Sequence, residues 1–332
     1  VGATYEVTRQ AADYIFYVLY ELGGLPLSAI DTEALFNIKD NLPTENLGYF
    51  DYSFDDKEIS LEQRIETAAN AMRCTAFKSG RIWSFVRDEE KPIRTALISP
   101  RIMKGYGEES FSFNKPNDKD SVVIRYVDPD ENNNKFIERR INQTTGAIED
   151  GRGDNPINIE MDFCRNEAQA INRAALEIRK IAYIMRSATL EVTVDGLYVN
   201  LGDRIGWANP IDNDIQHGEI LSFSGGDYDT TERFIDNGVD TYYCYTTDED
   251  GLPTSAPFVI TARVDTEFGF TAVSGQAYDA VGYTQLGSRY IIATLDNLNL
   301  SDWTVTSRSG RNSDGSVTIE LSEYNAAVYE ED

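Results

Sequence analysis

Residues 167–207 read EAQAINRAALEIRKIAYIMRSATLEVTVDGLYVNLGDRIGW. Two periodicities meet in this stretch. Ile171, Ala175, Ile178, Ala182 and Met185 recur at spacings of 4, 3, 4 and 3, which predicts a helix from about Glu167 to Met185. Ala168, Ala174, Ala175 and Ala182 let that helix approach a sheet closely. The run sustains too few heptads for a coiled coil. Ala188 to Val194 then reads as a strand. Asp195-Gly196 is a two-residue hairpin signal, so Leu197 to Asn200 is expected to pair back, with Leu201 to Trp207 following as a turn and strand.

Toward the N-terminus the pattern alternates between helix and strand. Ala12, Ile15, Phe16, Leu19 and Leu22 predict a helix stopped by Gly23-Gly24. Ser28, with Asp31 three residues on, resembles an N-terminal capping arrangement that would open a second short helix through Ile38. Tyr49 to Phe54 (YFDYSF) is aromatic-rich and strand-like. Ser60-Leu61-Glu62-Gln63 has the form of a capping box, and Leu61, Ile65, Ala68, Met72 and Ala76 continue it as a helical stripe spaced 4, 3, 4 and 4. Lys78 to Arg81 turns the chain into a strand at Ile82–Val86. Val122 to Val127 is a clear strand, with Phe136 to Ile141 as its hairpin partner. Residues 143–157, holding Gly146, Gly151, Gly153 and Pro156, are expected to be a surface loop.

Toward the C-terminus the composition shifts. Residues 209–289 hold 14 acidic and 3 basic residues, with short strands, glycine turns and no convincing helix. They read as a small inserted acidic all-β domain. The chain returns in strands at Tyr290–Leu295, Trp303–Thr306 and Val317–Leu321, the last pair turned by Ser313-Asp314-Gly315.

The whole chain has 332 residues, 56 acidic and 30 basic, for a formal charge of −26, and 41% hydrophobic residues. That supports packed cores and argues against a phosphate-backbone or anionic-membrane binder. The longest strongly apolar run, Tyr14–Tyr20, is far short of the roughly 20 residues a membrane helix needs. The chain begins at Val1 rather than Met, as a fragment or processed chain does.

No motif selects a chemistry. His217 is the single histidine, so multi-histidine zinc sites are excluded. It lies in Asp212–Gly218, which reads as a polar loop. Cys74, Cys164 and Cys244 are odd in number and widely spaced, which favours buried thiols over a disulfide framework. Asp248-Glu249-Asp250-Gly251 lacks the register of a calcium loop and reads as an acidic turn. Arg152-Gly153-Asp154 is a chance tripeptide in a glycine-rich loop. Gly202 to Gly206 opens no helix and cradles no phosphate. Tyr242, Tyr243 and Tyr245 suggest a carbohydrate-binding patch, against the commoner role of sheet-face residues. No catalytic, cofactor-binding or metal-ligating residue is assigned, and no cofactor is expected.

The order of the segments nevertheless resembles one family. Phe77-Lys78-Ser79-Gly80-Arg81-Ile82-Trp83-Ser84-Phe85-Val86-Arg87-Asp88, after its capped helix, is similar to the W-x-G-x-L-x-F-x-x-D hairpin of the phage tail tip attachment proteins, the host specificity protein J family. Phe77 stands where that family has Trp, and Pro92 comes late. Asp120 to Pro129 resembles its V-x-V-x-Y-x-D-P strand. Glu167 to Ala170, Asp195-Gly196-Leu197 and Leu201 to Ile205 resemble its Q-A-x-R-x-A…GL…PGD-V-I, with Leu201 in place of Pro. Tyr324 and Val328 follow as in its closing strand. The resemblance runs from about residue 7 to 329.

The resemblance implies a central fragment of a tail hub, non-enzymatic, located at the distal tail tip of a phage or prophage virion and made in the host cytoplasm. It implies a homotrimer that meets the tail tube and other tail tip proteins. Neither membrane binding nor specific nucleic-acid binding is expected, although DNA would pass through the hub channel. The expected fold class is α+β, β-rich and multidomain. Residues 1–119 would form an α/β hub domain with an N-terminal helical hairpin. Residues 120–208 with 290–330 would form a tube-like β-barrel with its packing helix, and 209–289 the inserted domain. Two other readings compete: a glycan-binding or glycan-cleaving tail module, and a secreted adhesin with calcium-dependent β domains.

Overall fold

The computed structural model describes residues 8–55, 58–111, 119–142, 144–209, 211, 214–248, 253, 256–273 and 288–330. In chain order, α1 (Ala11–Tyr17) passes into a π-helical turn (Val18–Leu22), followed by α2 (Thr32–Asp40) and α3 (Leu61–Ala71). Strands β1 (Cys74–Ser79), β2 (Ile82–Arg87), β3 (Ala96–Ile98), β4 (Glu108–Phe111), β5 (Ser121–Val127), β6 (Asn134–Ile141), β7 (Ile148–Asp150) and β8 (Pro156–Glu160) lead to α4 (Glu167–Tyr183). Then come β9 (Arg186–Val192), β10 (Arg204–Trp207), β11 (Gln216–Ser224), β12 (Asp227–Thr230), β13 (Tyr242–Thr246), β14 (Phe258–Ala262), β15 (Gly269–Ala272) and β16 (Arg289–Ala293). The chain closes with α5 (Leu295–Leu300), β17 (Asp302–Arg308) and β18 (Val317–Glu323). Helix accounts for 25% and strand for 36%, a mixed α+β, strand-rich, multidomain fold.

Two compact units divide the chain. The first takes Val1–Glu90, Phe113–Ile184 and Ala326–Asp332; the second takes Lys91–Ser112 and Met185–Asn325.

In the first unit, β5 lies inside a sheet ordered β7-β6-β5-β8, antiparallel to β6 and parallel to β8. Its Val122, Val123, Ile124 and Tyr126 are all buried, which is why its sequence is almost continuously apolar. Helix α4 packs on β5 and β6, placing Ala170, Ala174 and Ile178 in the same core. Asn166 starts that helix by accepting the Gln169 N–H. The buried Gln169 amide in turn donates to the carbonyls of Tyr49 (3.0 Å) and Ala71 (2.9 Å). The capping box of Ser60 and Gln63 opens α3 and is reciprocal, as its sequence predicts. Asp88 receives the Tyr329 hydroxyl at 2.9 Å and pairs with Lys180 of α4, fastening the 3₁₀ turn Ala326–Tyr329 to this unit.

The second unit contains a six-stranded sheet, β3-β10-β17-β18-β9-β4, and a closed barrel, β11-β12-β15-β14-β13-β16. In the sheet, β18 pairs antiparallel with β9, from Val317 opposite Val192 to Ser322 opposite Ser187. Leu190, Val192, Ile205, Val305, Val317 and Ile319 form its core with Trp207 and Trp303, whose rings lie 5.6 Å apart. The barrel interior is filled by Tyr228, Phe258, Phe270 and Tyr290. Gly218 is required there: a Cβ would sit 2.6 Å from the Tyr290 hydroxyl.

Four expectations are corrected. YFDYSF makes no strand; its Phe50 and Phe54 pack around Tyr14, and Phe50 also against Phe163, from an irregular backbone. The 143–157 loop contains β7 and leads into β8, short strands at the sheet edges. Asp195-Gly196 lies in a 3₁₀ turn, Val194–Tyr198, rather than a hairpin. The turn folds tightly onto β9, where a Cβ on Gly196 would lie 2.3 Å from Val192. The grouping of 120–208 with 290–330 also divides differently. Strands β5 to β8 and α4 belong to the first unit, because the apolar face of α4 covers β5 and β6. The closed barrel is built instead from 216–293, since β16 is the staple between β11 and β13. Helix α5, started by Thr294, was not expected.

Candidate functional site

The most deeply buried charges of the second unit form one cluster. Asp302 opens β17 and is 2% exposed, and Arg94 is 4% exposed. Arg94 Nε donates to one carboxylate oxygen of Asp302, and Arg204 of β10 donates to the other. Arg94 also donates to the Leu298 carbonyl of α5 (3.4 Å), and its guanidinium lies 3.8 Å from the centre of the Tyr245 ring, in the barrel strand β13. Arg204 lies over the Tyr324 ring at 4.2 Å and donates to the Lys91 carbonyl at 2.9 Å. The Tyr324 hydroxyl donates to that carbonyl too, at 3.1 Å.

One carboxylate therefore joins two guanidiniums, each covered by an aromatic ring. A buried charge is tolerated only when it is paired and hydrogen-bonded, and this one is. The cluster contains no nucleophile and no acid–base pair poised for proton transfer. It fastens β10, β17, α5 and the 91–94 segment to the barrel wall. Arg101 adds a second tie by pairing with Glu219 of β11. The cluster was missed in the sequence, although a charged residue beside the apolar Trp303 or inside Asp203-Arg204-Ile205-Gly206-Trp207 is the signal that could have found it.

The residues singled out in the sequence do not converge. His217 is not in a polar loop. It sits in β11 opposite Ile291, and burial holds its imidazole below the ordinary value of 6.5. Cys74, Cys164 and Cys244 are buried free thiols; burial pushes Cys164 up to about 11 and Cys244 well above its ordinary value. Neither is a thiolate near neutrality. Tyr245 is buried, Tyr243 packs beside it, and Tyr242 meets Phe234 edge-on, so the three line the barrel wall rather than a sugar platform. The Asp248–Gly251 turn falls largely outside the described residues.

The Arg152-Gly153-Asp154 loop is folded over Asp120. Asp154 and Asn155 N–H groups each donate to the Asp120 carboxylate at 2.9 Å, and Ser121 donates at 2.9 Å. Burial pushes that carboxyl up, but these hydrogen bonds outweigh it and leave the group below the usual range. Gly202, at φ +80°, makes the turn before β10.

One open cavity of about 300 Å³ lies in the first unit, lined by Tyr52, Glu66, Thr67, Asn70, Glu160, Asp162 and Phe163. Arg125 pairs with Glu160 (2.9 Å) and Asp162 (2.7 Å), so two of its three carboxylates face a guanidinium. Among the described residues no group of three or more His, Cys, Asp or Glu side chains is placed to hold a metal. No described helix is long and apolar enough to cross a membrane.

No protein-family model and no curated protein matches the chain. Solved structures do. A chain of the virion of the native gene transfer agent particle is similar over 96% of this chain and 48% of its own length, at 10% identity and a TM-score of 0.49. The tail protein from Neisseria meningitidis MC58 is similar over 87% of this chain and 68% of its own, at 11% identity and a TM-score of 0.35. Prophage tail protein gp18 from Listeria monocytogenes EGD-e is similar over 54% and 57%, at 16% identity and a TM-score of 0.27. This chain spans about half the length of the first of them. At such identities and scores these are likenesses of chain trace, and they carry no function with them.

Proposed function

We propose that the chain is a non-enzymatic structural component of a phage or prophage tail, the central hub of the tail tip, working as a homotrimer between the tail tube and the other tip proteins. The observation that carries the reading is the pairing of β9 with β18. The segments whose order resembles the tail tip family, residues 186–207 and 317–323, share one sheet although the whole barrel lies between them in sequence. A part that transmits load benefits from such interlocking, because no single stretch can peel away alone. A trimer here is a closed ring in which one patch meets a different patch on the next copy. The charge of −26 suits a conduit wall that repels DNA phosphates.

The test is gold labelling of the chain on purified tails. Label confined to one end of the tail is expected. Label along the shaft, or none, overturns the hub assignment. Sedimentation equilibrium over a concentration series tests the trimer, and a stable dimer counts against it.

A second reading, a glycan-binding or glycan-cleaving module, is favoured by the open cavity with its Tyr52 wall and carboxylates Glu66, Glu160 and Asp162. Turnover of host polysaccharide, abolished by Glu66→Gln, would support it over the hub.

A further inference from the structure

Two loops lie side by side at one end of the barrel. Residues 231–241 join β12 to β13, and residues 263–268 join β14 to β15. The Phe234 N–H donates to the Glu267 carbonyl at 2.9 Å, and the Thr230 N–H donates to the Phe268 carbonyl at 3.0 Å. Arg233 pairs with Glu267 at 3.1 Å. The backbone of the longer loop is pinned. The Gln216 side chain both donates to the Ile235 carbonyl and accepts its N–H, each at 2.8 Å. Asp236 accepts the Gly238 N–H at 2.8 Å, and Asn237 accepts those of Val239 (3.0 Å) and Asp240 (2.9 Å).

On this frame four large apolar side chains face water. Val264 is 107% exposed, Val239 88%, Ile235 63% and Phe268 52%. Four such side chains held in water on two neighbouring, hydrogen-bonded loops that also carry charge point to an interaction surface. The rim is acidic. The two loops carry Glu232, Asp236, Asp240, Asp265 and Glu267 against Arg233 and Arg263. Both arginines are occupied, Arg233 by Glu267 and Arg263 by Asp229 and Asp265.

We propose that this loop pair docks another protein of the particle, one whose contact face is apolar at its centre and bordered by lysine or arginine. The proposal rests on the virion reading above. The chemistry disfavours other occupants. Three of the four exposed side chains are aliphatic and offer little face for a sugar to stack on. Carboxylates repel nucleic-acid phosphates and anionic lipids. A second copy seated symmetrically on the same loops would set carboxylate against carboxylate.

The experiment compares carbene footprinting of the free chain with that of purified particles. Labelling of Val239 and Val264 is expected to fall at least about fivefold in the particle. Val239→Asp with Val264→Asp is expected to lower incorporation by about tenfold or more, as loss of an apolar anchor does. Glu232→Lys with Asp240→Asn is expected to weaken incorporation as well. All four substitutions are at exposed positions, so each variant should melt with the parent barrel. Particles that lack the chain altogether overturn the virion reading and this surface together. Particles that contain it, with both loops as reactive as in the free chain, overturn this surface alone. Incorporation unchanged by the charge variant overturns the basic border. Protection in the purified chain alone assigns the surface to self-association and overturns the proposed partner.

Discussion

Leu321 of β18 lies opposite Ala188 of β9, and both are buried. The two residues stand on either side of the barrel in sequence and on adjacent strands in space. The six-stranded sheet is thereby sewn from chain that precedes the barrel and chain that follows it.

That arrangement predicts the outcome of a clean break. A protease site placed within residues 274–287 separates β15 from β16. The C-terminal piece would still carry β16 between β11 and β13, β17 on β10, and β18 on β9. The two pieces are expected to co-elute under native conditions and part only in denaturant. Separation on a sizing column without denaturant would refute the layout.

Asp302 is expected to be the most sensitive charged residue of the second unit. Asp302→Asn leaves the buried Arg94 and the half-buried Arg204 without their carboxylate, and breaking a buried pair in this way costs about 3–5 kcal/mol. Arg94→Met is expected to cost less, because Asp302 keeps Arg204. Urea unfolding of both variants checks the order, and equal losses would contradict it.

Asp120 gives the first unit an acid sensitivity of known sign. Its carboxyl is held below the ordinary range by hydrogen bonds that exist only in the folded chain. Its contribution is therefore complete above the unfolded value, about 3.9, and is lost as the pH falls through the folded one. The stability gap between the parent and Asp120→Asn should narrow below about pH 4. Gly153→Ala tests the same contact by crowding, since its Cβ would stand 2.5 Å from the Asp120 carboxylate. A loss of about 1–3 kcal/mol is expected.

His217 can be read without ambiguity, because there is no second imidazole. Burial favours the neutral ring, so its folded value lies below 6.5. The stability tied to it is present above 6.5 and is lost as the pH falls through the folded value. An NMR titration of the ring nitrogens should give a midpoint below 6.5. A midpoint at or above that figure would mean that Glu232, the nearby carboxylate, outweighs desolvation.

Local rules were legible where one element's own residues decide it. Ser60 and Gln63 announced α3, the stripe from Ile171 to Ala182 announced α4, and Val122 to Val127 announced β5. Partnership was not legible. Periodicity gives α4 an apolar face without saying that β5 and β6, rather than β9 and β18, will cover it. Closure of the barrel depends on β16 meeting β11 and β13, which nothing within β16 encodes. The aromatics of YFDYSF favour burial in any geometry, and here Phe50 and Phe54 gather around Tyr14 without a ladder. The Arg94–Asp302–Arg204 cluster brings together three distant segments, so its members look like isolated charges until the chain is folded.

The chain passes from one unit to the other four times, after Glu90, Ser112, Ile184 and Asn325. Early and late parts of this sequence thus share one body, clasped where Tyr329 reaches Asp88. No single cut yields either half as an uninterrupted gene product, so an isolated unit would have to be built by joining its separate segments or by circular permutation.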